Sequence, residues 1–352
     1  MGDHPAPLPH RPSFGPQGPA NARPAWQPRK RWHDAPHYAA LDLGTNNCRL
    51  LIARPQGDGF AVVDAFSRIV RLGEGLASSG RLSDAAIDRT IAALRVCSDK
   101  LRRRNVLVSR SVATEACRQA ANGPDFIDRA WRETGIRLDI ISAEEEARLA
   151  VLGCHALMEP GEGPALIFDI GGGSTELVLI DASGAEPRVL DWHSAPWGVV
   201  SLTEHAGGEG PVDKPGRLAA YARMRQLATD SFVTFAGRLP KSPVAPRLLG
   251  TSGTVTTLAS VYLELDHYDR AQVDGLIVPA LDMRRISSDL SGMSLAERSR
   301  LPCIGTERAD LVVAGCAILE SIMDVWPAAR LGVADRGIRE GILRRLMGAS
   351  RP

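Results

Sequence analysis

Asp169 and Glu176 stand on either side of Gly171-Gly172-Gly173-Ser174, and this stretch holds the residues best placed to do chemistry. Glycines let a turn adopt φ > 0 and let backbone N–H groups approach a ligand closely. A nest of N–H groups beside the Ser174 hydroxyl suits phosphate. Carboxylates flanking a bound anion need a physical reason, and a divalent cation such as Mg²⁺, which takes oxygen ligands, supplies one. The competing reading is a hairpin with a Gly-rich turn and solvated acids.

The elements that must position these residues are apolar. Ala165-Leu166-Ile167-Phe168 runs into Asp169, and Leu177-Val178-Leu179-Ile180 follows Glu176. The second run is rich in strand formers and apolar on both faces, so it reads as a buried strand rather than the start of a helix. That favours strand, glycine turn, strand over a Rossmann or P-loop arrangement, in which the glycine loop opens a helix. A second copy stands at Tyr38–Ala53: Asp42 falls on Asp169, Gly44 on Gly171, Asn47 on Ser174 and Leu50 on Leu177. Gly44, Thr45, Asn46 and Asn47 thus form a second candidate phosphate loop. Repetition of one supersecondary unit is a fold-level signal, and it implies two related domains facing each other across the two loops. A third loop follows the apolar run Leu248-Leu249. There Ser252, Gly253 and Thr254 precede a helical stretch, Val255 to Leu265, which makes an anion site from backbone donors and the helix dipole.

Paired Asp-x-Gly hairpins resemble those of the actin, hexokinase and Hsp70-like ATPase superfamily. Over residues 37–348 the ordered motifs are similar to those of the exopolyphosphatase/guanosine pentaphosphate phosphohydrolase (Ppx/GppA) family. The resemblance implies an α/β fold of two actin-like (ribonuclease H-like) domains, with mixed sheets flanked by helices and the active site in the cleft between them. The expected organisation is a tail over 1–36, a first domain over 37–148 and a second over 149–352, with the terminal helix free to pack on the first. The implied activity is Mg²⁺-dependent release of a terminal phosphate from inorganic polyphosphate or guanosine pentaphosphate (pppGpp). By the same resemblance Arg118, in the run Ala113-Thr114-Glu115-Ala116-Cys117-Arg118, is a phosphate clamp, and Glu146, the last acid before Ala147-Arg148, is the general base. Asp169 and Glu176, with or without Asp42, would hold the Mg²⁺. Glu307, Arg308 and Asp310 resemble a run near the family's nucleotide region, and Asp335 to Gly341 its closing signature. Long members carry further C-terminal helical domains that help hold extended polyphosphate, and without them the expectation is against processive action on long chains. Two other classes share the fold: an ATP-dependent small-molecule kinase and a non-catalytic nucleotide-binding protein.

Composition sets outer bounds. The 352 residues are enough for two domains with sizeable cores. Apolar and charged fractions of 44% and 24% are those of an ordinary globular protein. A net charge of +1 gives no global argument for nucleic acid or an anionic membrane as partner. Six cysteines without a C-x-x-C pair fit a reducing cytoplasm, and the longest apolar run, Leu311 to Leu319, is too short to span a bilayer. No secretory signal is expected, and a homodimer is left open. The first 36 residues are rich in Pro and Arg without periodicity and read as disordered, with Arg29-Lys30-Arg31 a solvated group in preference to an RNA contact. Further along, the patterns predict a helix from Ser83 to about Arg103, short strands near 105–112 and 138–141, and a helix opened by a Ser142/Glu145 capping box. His193 to Val200 is read as leading into a helical region, and helices are expected over Pro211–Gly237 and Thr306–Val325.

Overall fold

The computed structural model describes residues 36–182, 187–206, 213–239 and 243–349. The tail, with its basic group at 29–31, lies outside the described residues, as does Pro211. Two mixed sheets carry the fold. The first contains β1 (His37–Leu43), β2 (Asn47–Gln56), β3 (Gly59–Ile69), β4 (Val106–Ala113) and β5 (Leu138–Ile140), in the order β3-β2-β1-β4-β5. The second contains β6 (Ala165–Ile170), β7 (Thr175–Asp181), β8 (Arg188–Ala195), β9 (Arg247–Thr251), β10 (Ile277–Pro279) and β11 (Arg330–Ala334), in the order β10-β11-β9-β6-β7-β8. Each begins as an antiparallel meander and continues on the other side of its first strand with parallel pairs. The two copies of the hairpin therefore occupy the same place in two sheets of the same plan.

Burial explains the patterning. The first six residues of β7 are buried, because helices cover one face of its sheet and further apolar side chains the other. On the first sheet, one face packs against the helices Asp84–Arg103 and Gly123–Thr134 through Ile87, Ile91, Leu94 and Phe126. The opposite face meets the helices Ala143–Cys154 and Ile338–Ala349. Ile338, Ile342, Leu343 and Met347 of that last helix cluster with Tyr38, Ala40 and Leu51, so the end of the chain returns to the first sheet. The two helices cross closely enough that a Cβ on Gly341 would run into the Leu149 carbonyl oxygen, and one on Gly153 into that of Gly337. Residues 36–352 form one compact unit.

The structure differs from the sequence-based expectation in four places. The segment containing His193 is a strand, because β7 has a free edge that Arg188–Ala195 covers; only Val199–His205 is helical. The helix expected from Thr306 starts at Val312. Before it, Gly305 takes a left-handed φ of 66° and Arg298 holds the Ala309 carbonyl (Nε–O 2.8 Å), so 306–311 form turns instead. The capping box at Ser142 is half made: the Ser142 Oγ accepts from the Glu145 N–H at 3.2 Å, but the Glu145 carboxylate goes to Arg110 and Arg345. Between Arg270 and Ser299 stand three helices and β10, where no pattern had indicated elements.

Candidate active site

Both hairpins close in the same way. The Gly44 N–H donates to the Asn47 carbonyl at 2.9 Å, and the Gly171 N–H to the Ser174 carbonyl at 3.0 Å. None of Gly44, Gly171, Gly172 and Gly173 has a left-handed φ. The glycines are needed for close approach instead. A Cβ on Gly172 would lie 2.9 Å from the Thr45 Cβ and 3.1 Å from the Asn46 nitrogen, and one on Gly173 2.8 Å from the Thr45 Oγ1. The two turns thus pack directly on each other. Behind them the helix Val199–His205 donates its first N–H groups, Val199 and Val200, to the carbonyls of Gly171 and Gly172 (2.9 and 2.8 Å). The N–H groups of Gly172 and Gly173 have no acceptor among the described residues.

These turns line a cleft of about 940 Å³ open to solvent. Gly44 to Asn47, Gly171 to Ser174 and Ser252 to Thr254 are all on its wall, so the three predicted loops converge. Three side-chain atoms of these loops, Thr45 Oγ1, Asn46 Oδ1 and Ser252 Oγ, are buried without a hydrogen-bond partner among the described residues. Burying an unpaired polar group is costly, and three of them around one cleft indicate places where a ligand completes the bonding. Ser252 also holds a φ of 96°, rare for a residue with a side chain, at the entry to the helix Gly253–Tyr262. Such strain clusters at ligand sites.

Of the acids, Asp42, Asp169 and Glu146 reach the wall, and so does Glu115. Burial drives the Asp169 carboxyl up to about 7, with the charges of Glu176 and Asp42 adding and Arg49 opposing. Burial also raises Asp42 against Arg49 and Arg339. Glu146 stands in the first turn of its helix and is 7% exposed. Burial, then the charge of Glu176, pushes its carboxyl well above the usual range, although Arg118 donates to its Oε2 at 2.7 Å. The sequence left open whether burial or the helix N-terminus governs Glu146; burial does.

Two expected residues are not on the wall. Arg118 lies behind it, held on both edges: Nε and Nη2 donate to Glu115 (2.9 and 2.5 Å), and Nη1 to Glu146 and the Ile141 carbonyl (2.8 Å). Its guanidinium grips protein carboxylates rather than facing the cleft. Glu176 is buried next to Asp169 in the strand ladder, and its Oε1 accepts from Ser174 and Ser194 at 2.7 and 2.9 Å. The carboxylates on the wall that the hairpin strands themselves supply are therefore Asp42 and Asp169, with Glu115 against the Gly173 turn. Among the described residues no group of three or more His, Cys, Asp or Glu is gathered closely enough to hold a metal by itself.

Arg49 and Arg308 also line the cleft; Arg308 belongs to the run that the resemblance set near the nucleotide region, whereas Arg49 was missing from the expected site. Arg49 faces Asp42 in the strand ladder, the place Glu176 takes opposite Asp169, so laying one hairpin on the other would have found it. Arg308 donates to Thr257 at 3.0 Å from the turn that replaces the expected helix.

Two sheets of one plan, each bringing a Gly-turn hairpin to a shared polar cleft, define an α/β protein of the actin-like ATPase fold. A sequence model of the Ppx/GppA phosphatase family matches residues 51–350, and the chain belongs to that family. It is 32% identical over 324 residues to exopolyphosphatase 2 of Mycobacterium tuberculosis, covering 88% of this chain and 98% of that protein. A guanosine-5'-triphosphate,3'-diphosphate pyrophosphatase of Aeromonas salmonicida is 30% identical over 323 residues, 90% of this chain but 60% of the relative. The crystal structure of the Aquifex aeolicus member of the family superposes with a TM-score of 0.72 at 28% identity, covering 90% and 99% of the two chains. Among the described residues no helix is long and apolar enough to cross a membrane.

Proposed function

We propose that this protein is a phosphohydrolase that releases a terminal phosphate from inorganic polyphosphate or guanosine pentaphosphate. The observation that carries the reading is the convergence of three phosphate-type loops with unpaired polar atoms on a cleft that also holds a buried, basic glutamate. The names of the relatives above agree with both substrates. Phosphoryl transfer is catalysed mainly by positioning and by neutralising charge. Here the N–H groups of the two hairpin turns and the orphaned Thr45 and Ser252 hydroxyls would donate to the phosphate chain, Asn46 Oδ1 would accept from a water beside it, and Arg49 and Arg308 would offset its charge. Glu146 would take the proton of the attacking water as the water oxygen bonds to the terminal phosphorus. The bridging P–O bond breaks, and the shortened chain leaves with the bridging oxygen. Arg118 fixes the Glu146 Oε2 and leaves Oε1 for the water, so we read Arg118 as a positioning residue.

The donor set fits Mg²⁺ of the usual kind. Mg²⁺ keeps several waters and binds through one or two carboxylates plus substrate phosphates, which is what Asp42 and Asp169 on the wall offer. When bound, it supplies charge neutralisation at the phosphate oxygens. The test is phosphate release from a panel of polyphosphates of several lengths, pppGpp and ATP, each with and without Mg²⁺. Release from polyphosphate or pppGpp without an acceptor is the expected result. Phosphate appearing only when a small-molecule acceptor is supplied with ATP would favour the kinase.

A further inference from the structure

A second, smaller pocket adjoins the cleft and shares Asp42, Arg49, Asp169, Ser252 and Ile338 with it. Its remaining wall comes from Thr251 at the end of β9 and from the turn Asp335–Arg339 that opens the last helix. Two of the six charged residues there are held in ion pairs. Asp335 pairs with Arg270 at 3.2 Å and Arg336 with Asp274 at 2.7 Å. Arg49 and Arg339 have neither a hydrogen bond nor an ion pair within 4.0 Å among the described residues. Arg49 and Arg339, in no hydrogen bond or close ion pair, therefore face a small chamber whose wall also carries Asp42, Asp169 and Asp335, and guanidinium geometry suits a tetrahedral oxyanion.

The reaction proposed above leaves two anions in one cleft. On that reading the orthophosphate would form beside Asp42, Asp169 and Ser252 with the shortened substrate still in the cleft. Those same residues belong to the wall the two pockets share. We infer that the adjoining pocket is a second anion site, which receives the orthophosphate through Arg49 and Arg339 and lets it leave without passing the remaining substrate. The inference rests on the phosphohydrolase reading for its direction of flow, but the anion site itself can be tested without turnover.

Two measurements decide it. Titration of the full chain with inorganic phosphate alone should show two sites, and in Arg339→Met one of them should weaken roughly tenfold or more, the usual scale for a charged hydrogen bond. Arg339→Lys, which keeps the charge, should fall between. In wild-type turnover, added phosphate should inhibit in a mixed pattern, because phosphate in the second pocket coexists with substrate; this needs no variant to fold. A single phosphate site, an unchanged titration in Arg339→Met, or purely competitive inhibition overturns the proposal. Failure of the phosphohydrolase reading would show separately, as no phosphate release from any substrate of the panel.

Discussion

At Glu146, burial and the charge of Glu176 favour the protonated acid, while the Arg118 guanidinium favours the carboxylate. The balance keeps it more basic than an ordinary glutamate. Glu146→Gln keeps size and helix propensity, so kcat should fall roughly 10²- to 10⁴-fold with little change in stability. The acid limb of the wild-type pH profile should lie above the range of an ordinary glutamate and be absent from the variant. Glu145→Gln is the contrast. It loses partly exposed contacts to Arg110 and Arg345, and should cost about 1 kcal/mol or less with kcat intact. If Glu145→Gln is inactive and Glu146→Gln is not, the base has been assigned to the wrong residue. Asp169 supports a second prediction. Its folded pKa of about 7 exceeds the ordinary 3.8, so between these values the folded state holds a proton that the unfolded state has lost. The stability this confers is full below pH 4 and is lost as pH rises through 7. Melting of metal-free wild type should therefore decline from pH 4 to 8 relative to Asp169→Asn, and parallel curves would exclude a raised pKa. At this scale the sequence was informative where backbone pattern placed the residue, as for Asp42, Asp169 and the loop hydroxyls. It was less so for Arg118 and Glu176, whose orientation depends also on Glu146 and Ser194, side chains that meet them only in the fold.

Among the elements, the two hairpins and the amphipathic helices were legible because their periodicity reflects burial on one or both faces. β8 was not, since Arg188–Ala195 alternates only weakly and becomes a strand by pairing with the free edge of β7. The turns at 306–311 were hidden for a related reason: the backbone carbonyls at Met293 and Ala309 are claimed by the buried Arg298, a distant side chain from the standpoint of local pattern. The glycines show the same limit. Their presence in the turns was plain, but the cause, the packing of one turn on the other, belongs to tertiary structure. Gly341→Ala tests the analogous contact between helices. Its methyl would meet the Leu149 carbonyl, a backbone atom that cannot rotate away, so the helices must separate at a cost of about 1–3 kcal/mol. Urea denaturation should show the loss, and unchanged stability would mean the crossing is looser than described.

For the molecule as a whole, the internal repeat was the most informative signal, because it revealed two sheets of one plan before any other element was placed. What it could not reveal is which sheet the closing helix serves. The described residues of the cleft wall run from Asp42 to Ile338, inside the compact unit 36–352. Removal of residues 1–35 should therefore leave kcat within roughly a few-fold of the full chain, as truncations outside a packed unit generally do. Loss of activity in a truncated protein with unchanged melting would place the tail at the site.

The return of the last helix to the first sheet has a consequence for synthesis. Chains emerge from the ribosome N-terminus first and tend to fold domain by domain. Here Tyr38, Ala40 and Leu51 are among the earliest core residues made, yet they wait for Ile338, Ile342 and Leu343. Until then only the helix Ala143–Cys154 covers that face of the first sheet, and the apolar surface left beside it is open to a chaperone that binds such surfaces. A premature stop between Cys154 and Ile338 would leave part of that face open for good.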